Sequence, residues 1–162
     1  MNIFVLDLDT KKCAEYHNNS HCVKMILETG QLLCGVHHVT NSTVDIPYKL
    51  SHKNHPCAIW VRECVENYIW LCDLGLSLCE EYTYRYGKRH KSQDVVEWCI
   101  INKPNLIEKG DITEFALAMP DECKIGNAVE SYREYYIKHK QSICSWKNRE
   151  IPYWFETESC FI

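Results

Sequence analysis

Apolar side chains recur along most of the chain at the three- and four-residue spacing of helices. The clearest segment is His17 to Leu33, HNNSHCVKMILETGQLL. On a helix, His17, His21, Lys24, Glu28 and Gln31 fall in one stripe about 80° wide. Cys22, Val23, Met25, Ile26, Leu27, Leu32, Leu33 and Cys34 cover most of the remaining circumference, the pattern of a helix inside a core. The stripe then faces either a pocket or, if the helix edge emerges, water, with Lys24 and Glu28 as an ordinary four-apart ion pair.

The same pattern divides the rest of the chain. Ile3 to Leu8 is an apolar run that predicts a short extended segment, either threaded into the fold or frayed at its edge. The opening helix starts at about Lys11 or Asn18 and ends near His37. A polar loop follows, from His38 to Lys53. Pro56, at a first helical position, opens a long helix that runs to Gly87, because no other proline and only Gly75 interrupt it. A further helix covers Asp94 to Asn102 and is stopped by Pro104. Residues 104–122 are irregular, and the last helix runs from Gly126 to about Cys144. The tail WKNREIPYWF is too aromatic to be free. The fold class is therefore all-α: one domain over residues 1–162, compact and multi-helical, with a short extended N-terminal segment. No repeat, linker or low-complexity segment divides it.

Composition changes this picture in two places. The chain is acidic, with a formal charge of −4, which excludes a broad basic coat for nucleic acid and makes any polyanion contact local. Eleven cysteines, without a signal-peptide pattern at the start or any CxxC pair, point to a reducing, cytoplasmic compartment. No apolar run approaches the ~20 residues of a membrane span. Cys57, Cys64, Cys72 and Cys79 line one face of the long helix at spacings of about 10 to 12 Å, too far apart for one tetrahedral ion. They read as small hydrophobes at a helix seam.

Candidate chemistry gathers on the stripe and one loop. His17 and His21 have the four-residue helical spacing that lets two imidazoles bind a metal ion, a weak signal without a third ligand, and unliganded histidines fit the same spacing. No other cofactor is expected. Without metal, Glu28, Lys24 and His21 suit acid–base work. Arg85, Lys88, Arg89, His90 and Lys91 form the most basic stretch, which is either an anion site or a solvated turn. Rings such as Trp60, Tyr68 or Tyr82 stack on a base or are plain core. The pocket so drawn is lined by His21, Lys24, Glu28, His55 and the Arg85–Lys91 loop, with Arg62, Tyr82, Arg85, Lys88, His90 and Lys91 as its substrate-binding set alongside His55.

The run His21-Cys22-Val23-Lys24-Met25-Ile26-Leu27-Glu28 resembles the pyrimidine-dimer DNA glycosylase family, with the phage endonuclease V fold, whose helix carries a His and, seven residues later, a catalytic Glu. NYIWLCDLGLSLCEEYTYRYG resembles a later helix of that family. The Tyr-rich last helix, followed by Trp146 and IPYWF, is similar to its aromatic C-terminal segment, and the three patches cover about half of the chain. The resemblance implies an all-α fold and a terminal amine that attacks the sugar C1′ to form an imine. It makes Glu28 the catalytic carboxylate, His21 a base or phosphate contact, and residue 1 or 2 the nucleophile. Asn2 is large for a residue exposed by methionine removal, so the amine falls to Met1. An α-amine suits covalent catalysis because it is nucleophilic near neutral pH. The expected function is a base-excision glycosylase and lyase acting on damaged or modified pyrimidines, with DNA or a nucleotide as partner. Two alternatives stand beside it: a nucleotide-binding or nucleotide-hydrolysing enzyme on the same fold, and a non-enzymatic interaction module.

Overall fold

The computed structural model describes residues 1–41 and 45–155. Positions 42–44 of the predicted polar loop, and the end of the predicted domain at 156–162, lie outside them. Six α-helices and no strand occur among the described residues: α1 (Thr10–Tyr16), α2 (Asn19–Val39), α3 (Pro56–Arg62), α4 (Val65–Tyr86), α5 (Gln93–Ile101) and α6 (Ala128–His139). The fold is all-α, as the spacing of apolar residues predicts. None of the described helices is long and apolar enough to cross a membrane.

The N-terminal segment is threaded into this assembly. Residues 2 to 6 are buried, and the Cys13 thiol of α1 links to them by accepting from Leu6 N at 3.4 Å and donating to Phe4 O at 3.2 Å. An apolar run too short for a helix thus satisfies its backbone through side chains around it.

Three predicted boundaries are corrected. The opening helix is two helices: α1 is capped by Asp9 and ends at His17, and Asn18 caps α2 by accepting from His21 N at 2.8 Å. Asn prefers this terminal role because its side-chain oxygen serves a backbone N–H that no helical carbonyl can reach. The long helix from Pro56 is also two, broken where Cys64 turns extended (φ −159, ψ 165). Asn67 Nδ2 donates to Trp60 O at 2.8 Å and Val65 N to Ile107 O at 2.8 Å, so tertiary partners replace the lost helical bonds. The last helix stops at His139, and a 3₁₀ turn at Gln141–Ile143 replaces its predicted end.

Helix α4 is the central element, packing on α1, α2, α3 and α5. The small-residue seam serves that packing at Gly75, where an added Cβ would lie 3.0 Å from Thr29 Cγ2 of α2 and 3.1 Å from Val96 Cγ1 of α5. Gly87, at φ +68, ends α4 in the left-handed conformation that glycine adopts without a Cβ clash. The aromatic tail packs back: Trp146 Nε1 donates to Tyr16 O at 2.8 Å, and Arg149 closes on Glu81 at 2.8 Å while lying over the Tyr84 ring.

Candidate active site

Two polar members of the α2 stripe, His21 and Glu28, are buried. They meet the N-terminal segment instead of an open pocket. The Met1 amine lies 3.0 Å from Glu28 Oε1, with both side chains nearly removed from solvent. Seven residues earlier on the same helix face, His21 stacks on Phe4, with ring centroids 4.2 Å apart and planes inclined by 24°. One helix face therefore grips residues 1 and 4 of the segment with a carboxylate and an imidazole. Lys24, expected between them in the pocket, is exposed, as are Val23 and Leu27.

His21 Nδ1 lies 2.7 Å from Tyr136 Oη, which accepts from Asn18 N at 3.3 Å. The tyrosine proton is thus free to go to Nδ1, which puts the imidazole proton on Nε2. Burial pushes the His21 pKa down to about 3, and the neighbouring His17, Lys140 and Lys24 further disfavour a charge there, so at neutral pH the ring is uncharged. Its protonated Nε2 is then a neutral hydrogen-bond donor.

His55 stands beside the amine–carboxylate pair at the head of α3. Its Nδ1 accepts from Cys57 N at 3.0 Å, which caps the helix and leaves Nε2 as the protonated nitrogen. Burial lowers its pKa, the N-terminal charge and His52 lower it further, and Glu28 opposes them. Asn2 is anchored inside the protein. Its Oδ1 accepts from Ile3 N at 2.8 Å, Tyr132 Oη at 3.0 Å and Cys57 Sγ at 3.6 Å, and its Nδ2 donates to Ala118 O at 2.9 Å.

The remaining expected site residues are dispersed. His17 lies at the end of α1, outside α2, so the helical spacing assumed for a His17/His21 metal pair is absent. Its Nδ1 donates to Cys13 O at 2.7 Å, and burial lowers its pKa to about 4. Arg85 is 2% exposed, with Nε on Glu81, Nη1 on Asn19 Oδ1 and Nη2 on Glu15 O, which corrects its assignment to an anion-binding loop. It is an internal pin that ties the last turn of α4 to the end of α1 and the start of α2. Arg89 pairs with Asp94 and Glu97, and His90 Nε2 donates to Val23 O at 2.9 Å, docking the loop on α2. Of the basic stretch, Lys88, Arg89 and Lys91 are exposed, Arg89 within its ion pairs.

Arg62 Nη1 is bound to Lys53 O at 2.6 Å, and Tyr82 packs against His90 with centroids 4.8 Å apart. Trp60 and Tyr68 are core rings. A cleft of about 820 Å³ exists, but its walls are Asp7–Leu8, the 114–117 loop and the start of α6. None of the expected pocket residues lines it, because the N-terminal segment fills the space beside His21 and Glu28. Among the described residues, Glu122, Cys123 and His139 bring ligand atoms within 4.8 Å of one another, and Glu122 and His139 already form an exposed pair at 2.8 Å.

Asn2, expected as a possible nucleophile, shares the surroundings of the amine with Cys57 and Tyr132, whose side chains carry no site signal in the sequence. Asn2 and Tyr132 are 130 residues apart, and no local spacing joins them. The one available signal was a polar residue at the head of an otherwise apolar run. Nothing among curated proteins or solved structures matches the chain. A family model described as pyrimidine dimer DNA glycosylase matches residues 1–94, the part that carries Met1, Glu28 and His55.

Proposed function

The chain belongs to the pyrimidine dimer DNA glycosylase family, and from that premise we propose that it excises damaged pyrimidines from DNA and then cleaves the strand, using the Met1 amine as nucleophile. The observation that carries this reading is the 3.0 Å approach of that amine to Glu28 Oε1. In the proposed reaction the Met1 nitrogen, as free amine, attacks C1′ of the damaged nucleotide. The glycosidic bond breaks, the departing base takes its electron pair and gains a proton, and the sugar ring opens as the imine forms. Glu28 takes the proton that the attacking nitrogen gives up. Loss of a C2′ proton then expels the 3′ phosphate, and water releases the enzyme from the imine. A nucleotide inside a duplex must leave the stack for this attack.

His55, with its proton on Nε2, is placed in this reading as a neutral donor to the opened sugar or its phosphate. Exposed Lys24, Lys88 and Lys91 supply local positive charge for the strand, and the reducing cytoplasm is the compartment proposed. No residue of the mechanism asks for a cofactor.

Borohydride reduction during reaction with dimer-containing DNA tests the proposal. The expected product is a covalent protein–DNA adduct whose peptide mass places the link on Met1. Glu28→Gln, which keeps the shape and removes the proton acceptor, is expected to slow adduct formation about 10²- to 10⁴-fold. Failure of the wild-type protein to form any adduct, with its terminal amine verified as free, discards the imine mechanism.

A further inference from the structure

A chain terminus ordinarily frays, yet a nucleophilic amine has to hold one position. What fixes residue 1 is the anchoring of residue 2. The Asn2 amide is engaged on both ends: three donors converge on Oδ1, and Nδ2 reaches the Ala118 carbonyl. Tyr132, buried on α6, organises the distant half of that cage. Its single hydroxyl proton is shared between Asn2 Oδ1 at 3.0 Å and Ala116 O at 2.7 Å, and its oxygen accepts from Ala118 N at 3.3 Å. One hydroxyl therefore ties Asn2 to both sides of the loop that in turn receives the Asn2 Nδ2–H.

Helix α6 and the 116–118 loop lie beyond residues 1–94, the stretch shared with the family model. We infer that Asn2 and Tyr132 form a positioning clamp that holds the Met1 amine against Glu28, so that the C-terminal half of the chain completes the reactive site without touching substrate. The catalytic meaning of the clamp rests on the imine reading above, whereas its positional meaning does not. Asn2, expected as a possible nucleophile, becomes a positioning residue: its backbone nitrogen is acylated by Met1 and its side chain is engaged on four sides.

Three measurements on full-length Tyr132→Phe, which keeps the ring in the core and deletes the hydroxyl, test this. The first is the rate of reductive methylation of the Met1 α-amine relative to the lysines, followed by peptide mass. It is expected to rise several-fold as the amine leaves Glu28. The second is single-turnover borohydride trapping, expected to slow about 10- to 100-fold, as for a reacting group misplaced by about 1 Å. Affinity for DNA carrying a reduced abasic site is expected to stay within about twofold. Asn2→Ala, with Met1 retained, serves as the second variant and is expected to change both rates in the same direction.

An unchanged methylation rate in both variants overturns the clamp. So does a loss of trapping that merely parallels loss of binding and of cooperative unfolding, the mark of a general structural role. A wild-type protein that never traps, with methylation altered as expected, removes the imine reading alone and leaves the clamp standing.

Discussion

At the scale of single residues, the buried histidines make acid stability specific. Burial lowers the pKa of His21 to about 3 and that of His17 to about 4, whereas the unfolded chain binds these protons near the ordinary 6.5. The native state therefore keeps both rings neutral while the unfolded state takes up protons as pH falls below 6.5. Stability from these groups is present above that pH and is lost on the way down to about 4, by about 1.4 kcal/mol per pH unit for each group. Urea unfolding between pH 7 and 4 is expected to show a falling midpoint, and His21→Gln to have a shallower slope by one group. A slope unchanged in that variant contradicts the neutral assignment of His21. Of the site residues, Glu28 and His21 were legible in sequence because seven positions on a helix return to nearly the same face. Lys24 satisfied the same periodicity yet lies in water, because the segment packed on that face reaches Phe4 and Met1 without covering the position between. Tyr132 was illegible for another reason: only tertiary folding places it beside Asn2.

At the scale of elements, the pattern of apolar residues located most helices and missed their interruptions. Punctuation by Gly and Pro marked Pro56 and Gly87, but the break at Cys64 carries neither. There the chain leaves the helix because Asn67 and the Ile107 carbonyl supply hydrogen bonds from elsewhere, and nothing local announces such partners. The break between α1 and α2 was half legible, since Asn18 is a good cap and was one of two predicted starts. The small-residue face of α4, by contrast, has a direct energetic meaning. Gly75→Ala would press a methyl group against Thr29 and Val96, both on helices already in contact with α4. Such overpacking costs about 1–3 kcal/mol, which for a chain of this size lowers the melting temperature by about 2–4 °C per kcal/mol. A calorimetric melt checks this, and a variant as stable as the parent would mean that the neighbouring helices yield freely.

At the scale of the molecule, the family match stops partway through the helical packing. Residues 1–94 contain α1 to α4 but end inside α5, whose Val96 and Cys99 are fully buried, and they omit α6, whose Tyr132 and Tyr136 are fully buried too. A fragment of residues 1–94 is expected to lack cooperative unfolding and dispersed amide resonances, because the faces of α2 and α4 that meet those side chains would open to water. A sharp melt from that fragment would contradict it. The acidic chain also shows how little net charge says about a local site: Arg85, the first of the basic stretch, lies in the interior, and Arg89 is paired with Asp94 and Glu97.

The contact between the first nitrogen and Glu28 bears on how the protein must be produced. Any group joined ahead of Met1, whether a retained formyl cap or a purification handle, turns that nitrogen into an amide, whose lone pair is delocalised and which carries no positive charge to meet the carboxylate. A preparation handled in this way would fold around an empty partner for Glu28 and be inert by construction, so maturation of the first residue is itself a condition of the proposed chemistry.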